Sequence, residues 1–142
     1  MANKKPFSAE KRKEKGKKIS TPKGESEIPS GKQKPVFSFH YLNRDFCLSC
    51  CIEREKAAFA DTMHRLSQLT WNEIQGSHKH GLGCEKIQRN RLRSSIPSHI
   101  TEDVNFLAFR FYGKAPMVGY RDRNIFHVIW FDRAFTLYDH GS

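Results

Sequence analysis

The run Val104-Asn-Phe-Leu-Ala-Phe-Arg-Phe-Tyr112, continued by Met117-Val-Gly-Tyr-Arg121, Phe126-His-Val-Ile-Trp130 and Thr136-Leu-Tyr-Asp-His140, decides the fold. Aromatic and β-branched residues alternate with other types, and the runs are parted by turn residues at Gly113-Lys-Ala-Pro116, Asp122-Arg-Asn124 and Asp132-Arg133. Period-two alternation between turn clusters predicts a meander of short, half-buried strands.

Parity then sorts the side chains. Leu107, Phe109 and Phe111 share one face, and Phe106, Ala108, Arg110 and Tyr112 share the other. In the next runs Val118 and Tyr120 oppose Met117, Gly119 and Arg121, and Phe126, Val128 and Trp130 oppose Ile125, His127, Ile129 and Phe131. Finally, Phe135 and Leu137 oppose Thr136, Tyr138 and His140. If the more apolar sets all pack on a helix, the opposite face gathers Arg110, Tyr112, Arg121, His127, Tyr138 and His140, with Phe106 available to stack a base.

That helix is expected over 50–75. Phe59, Met63, Leu66, Leu69 and Ile74 fall within one arc at 100° per residue, an amphipathic stripe facing a core, with Trp71 at its flank. Ser49 is a suitable N-cap, Glu53 and Glu55 complement the dipole of the opening turn, and Gly76 is a suitable stop. Val36-Phe-Ser-Phe-His-Tyr-Leu42 reads as an opening strand. The expected fold is therefore α+β over 36–142, one long helix packed on a mainly antiparallel sheet.

The 142 residues suit one such domain, and the net charge of +10 is unevenly spread. Residues 1–35 hold eleven Lys and Arg against four Glu; the rest holds fourteen against eleven acidic residues. A Lys-rich segment with so little apolar area cannot offset the entropy of ordering, so 1–35 is expected to be a disordered basic tail. It reads either as an electrostatic arm for nucleic acid or as a solubilising tail.

Residues 76–103 add Lys86, Arg89, Arg91 and Arg93 behind a glycine-punctuated loop, a pattern suited to phosphate contact or to an ordinary solvated face. Pro97 forbids a long helix there, and no G-x-G-x-x-G or Walker pattern is present. Cys47 and Cys50 have a metal-ligand spacing, with His78, His80 and Cys84 downstream, but a second close cysteine pair is missing. No metal and no cofactor is expected. No apolar run approaches the roughly 18 residues that span a membrane, and no apolar segment follows the basic start as in a signal peptide. Reduced thiols in a cytoplasmic protein are the expectation.

The order of strand, helix, basic segment and meander, with Phe109-Arg-Phe111, Met117-Val-Gly-Tyr-Arg121, Phe126-His-Val-Ile-Trp-Phe131 and Leu137-Tyr-Asp-His140 along it, resembles the RelE-like toxins of bacterial toxin–antitoxin pairs. The resemblance covers roughly 36–142 in topology. It implies a metal-independent endoribonuclease acting on mRNA, often on the ribosome, with a cognate antitoxin as partner. Such chemistry needs a base, a proton donor and cations for the developing charge. His127 would be base or acid with Tyr138 or His140 as counterpart. Arg110 and Arg121 would hold the phosphate, and Lys86, Arg89, Arg91 and Tyr112 would bind the RNA. No paired carboxylates lie on the proposed face, which argues against a two-metal nuclease and a glycosidase. Two other classes remain open: a non-enzymatic nucleic-acid-binding module using the same face and tail, and a protein-interaction domain docking another chain on its aromatic face.

Overall fold

A computed structural model describes residues 28–77 and 83–140. Residues 1–27 of the basic tail, together with His78 and His80, lie outside the described residues.

Five strands form one sheet: β1 (Val36–Ser38), β2 (Glu85–Ile87), β3 (Phe106–Tyr112), β4 (Ala115–Asp122) and β5 (Ile125–Phe131). Their spatial order is β1-β5-β4-β3-β2. The three long strands are the expected antiparallel meander, and β2 adds to it antiparallel at one edge. At the other edge β1 runs parallel to β5, with Val36 opposite Ile125. Tight turns link the meander strands, with positive φ at Gly113 and Arg123. The fold is thus a mixed helix-and-sheet domain with a mostly antiparallel sheet.

The single long helix expected over 50–75 is two helices, α1 (Glu53–Leu66) and α2 (Trp71–Gln75). The break has a local cause. The Thr70 hydroxyl accepts from the Glu73 amide (3.2 Å) while the Glu73 carboxylate accepts from the Thr70 amide (2.9 Å), a reciprocal capping box that starts a new helix. Gly76 ends α2 as expected. The α1 N-cap is Ile52 rather than Ser49. Glu55 reaches back to accept from the Ile52 amide (2.9 Å), and its carboxylate is clamped by the Arg133 guanidinium at 2.7 and 3.1 Å.

Both faces of the sheet are covered. On the helix side Leu107, Phe109, Phe111, Met117, Phe126, Val128 and Phe131 pack with Leu66, Trp71 and Ile74. On the outer side Phe106, Ala108, Val118, Tyr120, Ile129 and Trp130 are buried under Ile87, Ile100, Leu137 and Tyr138. Apart from Ile87 of β2, this outer layer comes from irregular chain. Arg89 fastens it by donating to the Thr101 and Ile100 carbonyls (2.6 and 2.9 Å), and the Arg93 amide donates to the Leu137 carbonyl (2.8 Å).

The phase between strands therefore differs from the expectation. Phe109 stands opposite Met117 and Ala108 opposite Val118, and directly paired residues share a face. Met117 thus joins the helix side, and Val118 and Tyr120 go outward. In β5 the pairs Gly119–Val128 and Val118–Trp130 leave Ile129 as an extra residue, a bulge that flips the alternation. Trp130 is consequently buried on the outer face rather than against the helices. Gly119 permits this crossing: a methyl group there would overlap the His127 carbonyl. Residues 135–140, expected as a last strand after a turn at Asp132-Arg133, belong instead to an irregular segment, 132–140, that returns over the outer face.

Candidate functional site

Three of the six residues expected on one polar face converge. Arg110, near the end of β3, lines a pocket of about 370 Å³ with Tyr138 and His140 of the C-terminal segment. Arg91 and Lys114 add two more cations, Glu85 adds one carboxylate, and Phe135 forms an apolar rim.

The C-terminal segment is shaped by Asp132, which is wholly buried. Its carboxylate accepts from the Thr136 amide (2.8 Å), the Leu137 amide (3.1 Å) and the His140 Nε2 (2.9 Å). An ionised carboxylate only accepts, so the His140 proton facing it sits on Nε2. The left-handed backbone of Phe135 (φ 60°) closes this turn and sets its ring edge-on to His140 at 4.9 Å. Tyr138 stacks on the imidazole at 3.9 Å. The Arg91 guanidinium lies 5.4 Å from the Tyr138 ring centre and donates to the Asp139 carbonyl (2.5 Å). Burial, reinforced by the nearby carboxylates of Glu85 and Asp132, pushes the Tyr138 phenol up to about 12. Near neutrality it can donate a hydrogen bond but cannot act as a base.

The other expected residues are elsewhere. Arg121 lies on the helix side, 4.5 Å above the Trp71 ring, and donates to Ser30 Oγ (3.0 Å) and the Arg123 carbonyl (2.6 Å). It is a clamp on α2, not a partner of Arg110. His127 is on the outer face but in a separate group, stacked on Tyr120 at 4.7 Å. Burial pushes its imidazole down from the ordinary value, against a smaller opposing effect of Asp122, and its Nδ1 has no hydrogen-bond partner among the described residues. Tyr112 is exposed at the end of β3, past a register shift that follows Arg110. Lys86 pairs with Leu107 and so projects on the helix side. Arg89 is committed to the two carbonyls it fastens, and of the expected RNA-binding set only Arg91 lines the pocket.

The four cysteines are free thiols, with Cys51 buried in the helix-side core and Cys50 exposed. Among the described residues no three His, Cys, Asp or Glu side chains are grouped to hold a metal ion, and no helix is long and apolar enough to cross a membrane. Comparison of the chain with protein-family models, with curated proteins and with solved structures finds no match.

Sequence reasoning missed Asp132, Lys114, Glu85 and Phe135. For Asp132 a signal exists: Asp-x-x-x-Thr136-Leu137 places a short acceptor four and five residues before two backbone donors. Lys114, sitting in a turn, carries no such signal.

Proposed function

We propose that this chain is a metal-independent endoribonuclease whose site is the pocket between β2, β3 and residues 132–140. The observation that carries the reading is His140, oriented by a buried carboxylate at a pocket lined by Arg91, Arg110 and Lys114. In metal-free RNA cleavage the 2′-hydroxyl attacks its own phosphate. With Nε2 held by Asp132, the Nδ1 atom of His140 takes the 2′-hydroxyl proton as the new oxygen–phosphorus bond forms, the bond from phosphorus to the 5′-oxygen breaks, and the departing 5′-oxygen takes its proton from solvent water. Arg110, Arg91 and Lys114 stabilise the charge that builds on the phosphate oxygens, and the Tyr138 ring fixes the plane of the imidazole. RNA as the substrate class agrees with the net charge of +10. Messenger RNA, the ribosome and a cognate antitoxin follow from the resemblance to RelE-like toxins alone.

A second reading is nucleic-acid binding without turnover. It is favoured by the raised phenol of Tyr138, which leaves His140 the only side chain of the pocket suited to proton exchange at neutral pH. RNA incubated with the protein and a chelator separates the two. Under the first reading the parent protein yields 2′,3′-cyclic phosphate ends. His140→Ala retains binding and loses on the order of 10²–10⁴ in rate. Parent-level cleavage by His140→Ala would remove the site from consideration, and binding by the parent without cleavage selects the second reading.

A further inference from the structure

The outer face carries a second group of rings, apart from the pocket. Tyr41 follows β1 and is 38% exposed. It packs at 4.0 Å and 34° on His99, whose Nε2 is 3.0 Å from the Tyr120 hydroxyl. Tyr120 in turn stacks on His127 at 4.7 Å and 19°. His40 meets Tyr41 edge-on at 4.6 Å. Tyr41 also lies 5.8 Å from His127, so the rings form a closed cluster on the sheet, with Tyr120 buried, His127 half-buried, and Tyr41, His40 and His99 exposed at its outer side.

The outer side is held firmly. The Asn43 amide donates to the Ile129 carbonyl (2.7 Å), and Asn43 Nδ2 donates to Ser94 Oγ (3.3 Å), so the two segments that carry Tyr41 and His99 are tied to the sheet and to each other. A ring fixed in place before binding loses little freedom on binding. The two segments are mostly positive: residues 40–45 and 89–99 together hold Arg44, Arg89, Arg91 and Arg93 against Asp45, with Arg44 and Arg93 exposed, while the Asp122 carboxylate acts on the inner rings of Tyr120 and His127. A partly exposed tyrosine ring carried by segments that also carry exposed arginines fits a base and its phosphate better than it fits an apolar protein surface.

We propose that Tyr41 and His99 form a stacking ledge for a nucleobase of single-stranded RNA, which extends the binding surface beyond the cleavage pocket. The assignment rests on the reading of the chain as an RNA-acting protein. Tyr41 supplies the face, His99 backs it, and Arg44 and Arg93 contact the flanking phosphates. Arg91, which lines the pocket, belongs to the same 89–99 segment as Arg93 and His99.

The test uses a fluorescent 2′-O-methyl oligouridine and an abasic oligomer of equal length and charge. Neither presents a 2′-hydroxyl nucleophile, so the outcome does not depend on whether His140 cleaves. The parent should bind the base-bearing oligomer more tightly than the abasic one. Tyr41→Ala should weaken the base-bearing complex by about 5- to 100-fold, the range of losing one stacked base, and leave the abasic complex unchanged. Tyr41→Phe should bind as the parent does. In the parent itself, titration with the oligouridine should shift the ring resonances of Tyr41 and His99, a measurement that needs no variant to fold. Equal effects of Tyr41→Ala on both oligomers, no effect on either, or saturation of binding with those resonances unmoved would overturn the ledge while leaving the cleavage site standing.

Discussion

Replacing Asp132 by Asn changes one atom of a buried group that accepts three hydrogen bonds, and the consequences can be worked out bond by bond. The amide oxygen of Asn can keep one carboxylate position, so the Thr136 amide retains its acceptor. The amide nitrogen then occupies the position that accepts from the Leu137 amide and from His140 Nε2. The buried Leu137 N–H faces a donor, and a buried donor left without an acceptor costs about 1–3 kcal/mol. For a domain of this size that lowers Tm by roughly 5–20 °C. His140 has a way out, because its neutral ring can move the proton to Nδ1 and accept from the new amide through Nε2. That exchange removes the lone pair that the proposed mechanism uses. Cleavage should therefore fall by about 10²–10⁴ although the imidazole stays in place. Urea unfolding followed by the fluorescence of the buried Trp71 and Trp130 gives the stability change. Nitrogen-15 shifts of His140 give the tautomer, and a quenched RNA substrate gives the rate. A variant with parent stability would show that Asp132 does not clamp this segment. A variant with the switched tautomer and the parent rate would show that His140 does not carry the proton.

Gly119→Ala should destabilise the fold by about 1–3 kcal/mol, since the added methyl meets the His127 backbone carbonyl across the bulge rather than a movable side chain; thermal unfolding at the parent temperature would contradict the close approach. The hydrogen bond from Arg133, opposed by a smaller effect of burial, holds the Glu55 carboxyl below its ordinary value of 4.5, so its stabilisation is present above that pH and is lost as pH falls through the lowered value. Glu55→Gln should accordingly lose stability near neutral pH and show a shallower decline than the parent below about pH 4.5. Parallel declines in urea midpoints for the two proteins would remove Glu55 from the acid response.

Much of the sheet was legible because its turns announce themselves. Gly113, Asp122-Arg-Asn124 and the alternation between them locate β3, β4 and β5 to within a few residues. Which way each strand faces was not legible, and the reason is physical. Phe106 and Ala108 are as buried as Leu107 and Phe109, and Val118 is as buried as Met117, so neither parity is marked as the wet one. Period-two patterning fixes a face only where the other side meets water. The bulge at Ile129 compounds the problem, since its permissive residue, Gly119, is on the neighbouring strand. The site was half legible for the same reason. Tyr138 and His140 share parity within their own run and reach Arg110 through the irregular return of residues 132–140, whereas grouping Arg121 with them required the phase of β4. The split of the helix, by contrast, stood in the sequence as Thr70-Trp-Asn-Glu73, a capping box inside an apolar stripe that by itself reads as continuous.

The parallel pairing of β1 with β5 bears on the order in which the molecule can be completed. The β3–β4–β5 meander joins neighbours through short turns and can form as its residues become available, because nearby segments close loops at little entropic cost. Strand β1 has no partner until β5 exists, and Val36 must then find Ile125 across nearly the whole described chain. During synthesis the opening segment waits while the helices, the basic loop and the meander are made. The segment through His140 comes later still, and it supplies Leu137 and Tyr138 to the outer core as well as the imidazole to the pocket. A nascent chain halted at Phe131 would carry the sheet without the group proposed to act on RNA. The proposed site therefore waits on residues 132–140, which follow every strand of the sheet in the order of the chain.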